Sequence, residues 1–249
     1  MWERLEVEEM PAAEDSVLLI ALSTMAPQYM ALYSHARELS KFLLRKMEFK
    51  KFATLYSSAL PPAVAIESDG VSRLNSNSFY SLSARRRVIM LAGDGSPFDY
   101  QQEYAHSVLS FARQLGVKEV ISIGARWSES PVPAGTALKA VGFASDAVGV
   151  TELEGLGVTI TKSEPGPFFP NLVVGMAEDY GMRGLKIGVD HGEPSPHPKS
   201  LIQIVGALSE LLGLSVDLKE LVAKAKEHER EAPQEGLPEV RRERTGIYG

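Results

Sequence analysis

Two internal stretches carry residue types able to do chemistry. In VDHGEPSPHP (189–198), Asp190, His191, Glu193 and His197 lie close together just after an apolar run. Carboxylates and imidazoles so grouped can ligate a divalent ion or move protons. Their spacing matches no helical H-E-x-x-H, and three prolines with a glycine describe a connector that needs polar residues of its own, with His197 near the cap of a following helix. In GDGSPF (93–98) the glycines could let backbone amides approach a phosphate. Phe98 stands where a third glycine would be required and Pro97 removes a donor, so a tight turn between strand and helix is the better reading. The basic triplet Arg85 to Arg87 is expected at an exposed edge or turn rather than an anion site. His106 lies on the polar face of its helix and His228 within a charge run, and both are expected to be solvated.

The third candidate is the end of the sequence, RTGIYG. Ile247 and Tyr248 offer an apolar side chain and an aromatic face with one hydroxyl, and the Gly249 carboxylate can pair with a lysine. With 8 tyrosines and 44% hydrophobic residues, such an ending arises by chance in about one chain in 70, so on its own it decides nothing. The segment from Ala232 to Gly249 is Pro, Gly and charge, unable to bury enough surface to fold, and extended it would reach roughly 60 Å.

Composition excludes several alternatives. No cysteine occurs among the 249 residues, which removes disulfides, thiol nucleophiles and thiolate metal sites. A net charge of -6 argues against a nucleic-acid partner. The apolar run Val17 to Leu22 is too short to span a bilayer and the acidic start MWERLEVEEM is unlike a signal peptide, so a cytoplasmic protein with no membrane partner is expected. There is no P-loop and no G-x-S-x-G nucleophile elbow.

The elements that must position these residues alternate strand and helix. SVLLIALSTM, from Ser16, reads as a strand buried on both faces, and Gln28 to Arg45 as an amphipathic helix. The Pro- and Gly-rich stretch from Phe52 to Leu82 reads as hairpins or edge strands. Val88 to Ala92, a helix from Tyr100 to Leu115 and VKEVISIG ending at Gly124 form a strand–helix–strand unit with parallel strands. Asp99 with Gln102 predicts a capping box for its helix, and Gly116 a left-handed stop. AVGFAS, GVTIT and GLKIGVD are further strands, with a helix from Leu172 to Tyr180. A buried helix is expected from Pro198 to Gly213, and a last one from Asp217, boxed by Glu220 and stapled by Val216 against Leu221. An α/β domain follows.

The chain resembles the proteasome assembly chaperone 2 family, its archaeal members especially, from about Val17 to Ala225. The resemblance rests on LPP at Leu60 to Pro62, DG at Asp69 and Gly70, GD at Gly93 and Asp94, IG at Ile123 and Gly124, and LLGLSVDLKEL, in that order and spacing. Members often carry a glycine-rich loop after the first strand; STMAPQYM here has none. The resemblance implies a three-layer α/β/α sandwich with a mostly parallel central sheet, similar in topology to phosphorylases and hydrolases. The expected organisation is one domain over 1–231 and a flexible tail over 232–249. It also implies a homo-oligomer without catalysis, cofactor or metal, acting as an assembly chaperone or ATP-independent activator. Archaeal members bind core proteasome α-subunits through a C-terminal hydrophobic-tyrosine-any-residue (HbYX) motif, which Ile247, Tyr248 and Gly249 match. Phosphorylase-like topology leaves an alternative, a hydrolase acting on a nucleoside or amide, since fold alone does not settle function. A structural oligomer with an idle tail is a third reading.

Overall fold

A computed structural model describes residues 1–26, 31–127, 138–162, 168–191 and 197–231. The chain begins with β1 (Glu3–Val7) and β2 (Val17–Ile20). All four residues of β2 are buried, because alternate side chains enter different cores: Val17 and Leu19 face one, Leu18 and Ile20 the other. A short hairpin follows, β3 (Thr24–Ala26) with β4 (Ala31–Tyr33), then α1 (His35–Lys46). The helix expected from Gln28 therefore begins at His35. Leu32 and Tyr33 fit a helical stripe in sequence, but so short an apolar run cannot distinguish helix from strand, and pairing with Thr24 and Met25 decides it. Within α1 the stripe Leu39, Phe42 and Leu43 is buried as its spacing requires.

The segment expected to hold hairpins supplies β5 (Lys50–Ser57), the separate hairpin β6 (Val64–Ile66) with β7 (Ser72–Leu74), and β8 (Ser76–Ser83). Then come β9 (Arg87–Gly93), α2 (Gln101–Gln114) and β10 (Glu119–Trp127). Tyr104, Ala105, Val108, Phe111, Ala112 and Leu115 fall on one buried face of α2, and Gly116 ends the helix at φ +81°. The capping box does not form. Phe98 and Asp99 both donate their amides to Ala59 O, which holds Asp99 outside the helix, and Tyr100 takes the cap position in a left-handed conformation with no side-chain cap bond.

β11 (Ala140–Ala144), α3 (Ala147–Gly155) and β12 (Thr159–Ile160) follow. Sequence reading leaves α3 out because VGVTELE has no clear apolar stripe; it is fixed by Asp146, whose carboxylate accepts from Gly149 N at 2.6 Å. α4 (Phe169–Met176) starts three residues earlier than expected, with Pro170 in its first turn, and continues as a 3-10 turn over Ala177–Tyr180. β13 (Arg183–His191), α5 (Pro198–Leu212) and α6 (Lys219–Glu231) complete the described chain. Gly213 stops α5 at φ +64° as expected.

Nine strands form one sheet in the order β1-β5-β8-β9-β2-β10-β13-β11-β12. The four central strands β9, β2, β10 and β13 are parallel, while the hairpin-rich region adds antiparallel strands on one flank and β11 pairs antiparallel to β13. β9 and β10 run parallel as the strand–helix–strand unit predicts, with β2 inserted between them. One face is covered by α1, α5 and α6 with Leu153 of α3; the other by α2 and α4. These are the three layers of an α/β/α sandwich, and each fully buried aliphatic side chain in them contributes on the order of 2 kcal/mol.

Candidate functional site

The C-terminal residues Ile247, Tyr248 and Gly249 lie outside the described residues, which end with α6. Leu221 and Ala225 bury one side of α6, which packs on α5, while Val216 and Leu218 pack against the same core as Leu221. Asp217 accepts from Lys219 N at 2.9 Å, which starts the helix. Glu220 does not complete the expected box. It is drawn instead to Lys46 Nζ and Arg45 Nη2, both at 3.0 Å, and to Lys224 Nζ at 3.1 Å, which ties α6 to α1. Its bonds to Lys46 and Lys224 hold its carboxyl down at about 2.

At the other end of α6, the ring of His228 meets that of His197 edge-on with centroids 4.4 Å apart. His197 is the N-cap of α5, its Nδ1 accepting from Lys199 N at 3.1 Å, as the sequence placed it. Helix α6 therefore runs back along α5, and Glu231 lies at the end of the molecule where β13 finishes.

The other stretches are dispersed or occupied. Asp190 and His191 close β13 in register with Arg126 and Trp127, His197 caps α5, and Glu193 lies outside the described residues. Among the described residues no group of three His, Asp or Glu could hold a metal. In the 93–98 loop, Asp94 N donates to Ser76 O, Gly95 N to Asn77 Oδ1, Ser96 N to Ser23 O and Phe98 N to Ala59 O. Those amides are spent on the protein itself, which is how a tight turn behaves and a phosphate loop does not. Asp94 is further held by Arg73 Nη1 at 2.6 Å; burial pushes its carboxyl up, and the bonds from Arg73 and Ser76 outweigh this and keep it below the usual range. Behind the loop Asn77 Nδ2 donates to Tyr104 Oη and to Gly95 O, both at 2.8 Å.

His106 is exposed as expected, with Nδ1 2.5 Å from Tyr180 Oη. The arginine triplet does form a turn, but Arg86 turns inward to the buried carboxylate of Glu119, where Arg183 also binds. Two residues escape sequence reading altogether. Glu119 gives no local sign of burial, and Lys186 sits within an apolar strand where it is 7% exposed.

Comparison with known proteins agrees with this architecture. The PAC2 family model matches residues 36–235. Among curated proteins none matches. The chain is similar to Pyrococcus furiosus PbaB, an archaeal proteasome activator, with TM-score 0.78 and 21% identity over 92% of this chain and 96% of that one. It is similar to P. furiosus PbaA, an archaeal homolog of proteasome-assembly chaperone, with TM-score 0.72 and 19% identity over 91% and 89%. A Mycobacterium tuberculosis proteasome-assembly chaperone homologue matches with TM-score 0.70 and 19% identity over 86% and 93%. With a family match reaching from α1 into the residues beyond α6, the chain belongs to the PAC2 family.

Proposed function

We propose that this chain is a non-catalytic proteasome assembly chaperone or ATP-independent activator that docks its C-terminal tail between α-subunits of the core proteasome. The observation that carries the reading is the coincidence of two independent features: a PAC2 fold similar to an archaeal proteasome activator, and Ile247, Tyr248 and Gly249 at the end of the sequence. In this reading the domain through α6 is the carrier and 232–249 the arm. Tyr248 lays its ring on the pocket wall, Ile247 buries its side chain, and a pocket lysine pairs with the Gly249 carboxylate.

One such peptide buries little surface, so affinity comes from several arms on one assembly, whose linkage raises the effective concentration of the second arm to about the millimolar range. Self-association is therefore part of the proposal. Val64, Ile66, Val71 and Leu74, all at least half exposed on the β6–β7 hairpin, are apolar area of the kind that contact between copies covers.

The test is capture of purified core proteasome by immobilised full chain, by Tyr248→Ala, and by a chain extended by two residues after Gly249. Capture by the first alone supports the reading. Capture by Tyr248→Ala at wild-type yield overturns it.

A further inference from the structure

Strand β13 turns Leu185, Ile187 and Val189 to one core and Gly184, Lys186 and Gly188 to the other. On that second side β11 sets the partly buried Phe143 in register with Lys186, and β2 and β9 farther along the sheet present the buried Leu18, Ile20, Ile89 and Leu91. Lys186 thus enters a hydrophobic layer. Its side chain leans over β10, so that a Cβ built on Gly124 would come 2.6 Å from Nζ and 3.4 Å from Cε. No hydrogen bond or carboxylate of the described residues serves this ammonium, and burial alone lowers it to about 7.

Ser122, the register partner of Lys186, lies on the same face of β10. It is wholly buried, and its Oγ has no hydrogen-bond partner among the described residues. Ser122 Oγ is a wholly buried donor left unpaired, and Lys186 beside it is 7% exposed and has no hydrogen-bond partner among the described residues, which is costly for both groups. Helix α4 crosses β10 and β13 with Val174 against Gly184 and its C-terminal end leading into the start of β13. The ammonium and the hydroxyl are both donors, and the oxygens of one anionic group satisfy both.

We propose that Lys186 and Ser122 form a binding site for a small molecule presenting a carboxylate or phosphate group. Lys186 Nζ supplies the charge and Ser122 Oγ a second donor. Residues 122 and 124 are about 7 Å apart along β10, a span that two oxygens of one oxyanion bridge with two hydrogen bonds. Water or a neutral carbonyl would satisfy the hydroxyl and leave the ammonium uncompensated. The site is independent of the tail, so it stands or falls separately from the docking reading.

The test is thermal unfolding of the full chain at pH 6.5 in sodium chloride, acetate and phosphate at matched ionic strength. The wild-type Tm is expected to rise by about 3 °C or more in at least one oxyanion relative to chloride. Acetate alone marks a carboxylate site and phosphate alone a phosphate site. Lys186→Met and Ser122→Ala are expected to lose the rise. Equal Tm in all three salts, or a rise that persists in Lys186→Met, overturns the proposal. Should Lys186→Met fail to fold, the Lys186 Cε resonance of the wild type decides: its titration midpoint must move upward in the effective oxyanion, and an unmoved midpoint overturns the site.

Discussion

Arg183, the first residue of β13, donates its Nε at 3.1 Å to the carboxylate of Glu119, the first residue of β10 and its partner in register. Arg86 reaches the other carboxylate oxygen, also at 3.1 Å, from the turn before β9. One buried carboxylate thus joins three places that are far apart in sequence, and Glu152 of α3 shares Arg183. Glu119→Gln removes the charge that both arginines serve and keeps the shape. The expected loss is about 3 kcal/mol, because the partly buried Arg86 loses its counter-charge and Arg183 keeps only Glu152. The urea midpoint should fall with an unchanged m-value; an unchanged midpoint would show that water already carries these charges.

The glycines under α4 and beside Lys186 make contrasting predictions. A Cβ on Gly184 would stand 2.3 Å from Val174 O, a backbone atom that cannot yield without moving α4, so Gly184→Ala should cost about 2 kcal/mol or more. A Cβ on Gly124 meets only the end of a lysine side chain. Gly124→Ala should therefore cost less, and the cost should vanish in Gly124→Ala/Lys186→Met. Denaturation of wild type, Gly184→Ala, Gly124→Ala, Lys186→Met and the double variant checks both statements.

The buried lysine makes stability depend on pH in a direction that can be worked out. Burial lowers the Lys186 amine to about 7 in the folded chain, against roughly 10.4 when unfolded. Between these values the unfolded chain binds the extra proton, so the destabilisation is greatest at and below pH 7 and fades as pH rises toward 10. In chloride buffer at pH 7, Lys186→Met should raise Tm by roughly 5 °C, and the gain should shrink at pH 9.5. An equal gain at both pH values would mean that the amine is not depressed.

Much of this fold was legible where burial leaves a local mark. Val17–Ile20 and Val88 to Ala92 are apolar on both faces because each contributes to two cores, and Gly116 and Gly213 stop their helices by adopting positive φ. Features decided by distant partners were not legible. The hairpin that replaces the start of α1 depends on pairing across residues 26 to 31, and the failure of the Asp99 box on bonds to Ala59. At the site level, the proposal for Ile247, Tyr248 and Gly249 comes from position and residue type alone, and these residues lie outside the described ones. Lys186 could have been noticed as a lone cation between Gly184 and Gly188 in an apolar strand, but its isolation emerges only when Ser122 and Gly124 are set beside it.

The tail should be separable from the fold. If Ile247, Tyr248 and Gly249 act only as a docking arm, as proposed, their deletion leaves Tm and oligomer mass at wild-type values, as unfolding and light scattering would register. A fall of several degrees would assign those residues a packing role instead.

The most direct measurement is sedimentation of purified core proteasome mixed with the full chain or with a chain ending at Gly246. The account predicts that the full chain travels with the particle and that the shortened chain remains at its own sedimentation rate. Equal co-sedimentation of both, or of neither, would contradict docking through the final three residues.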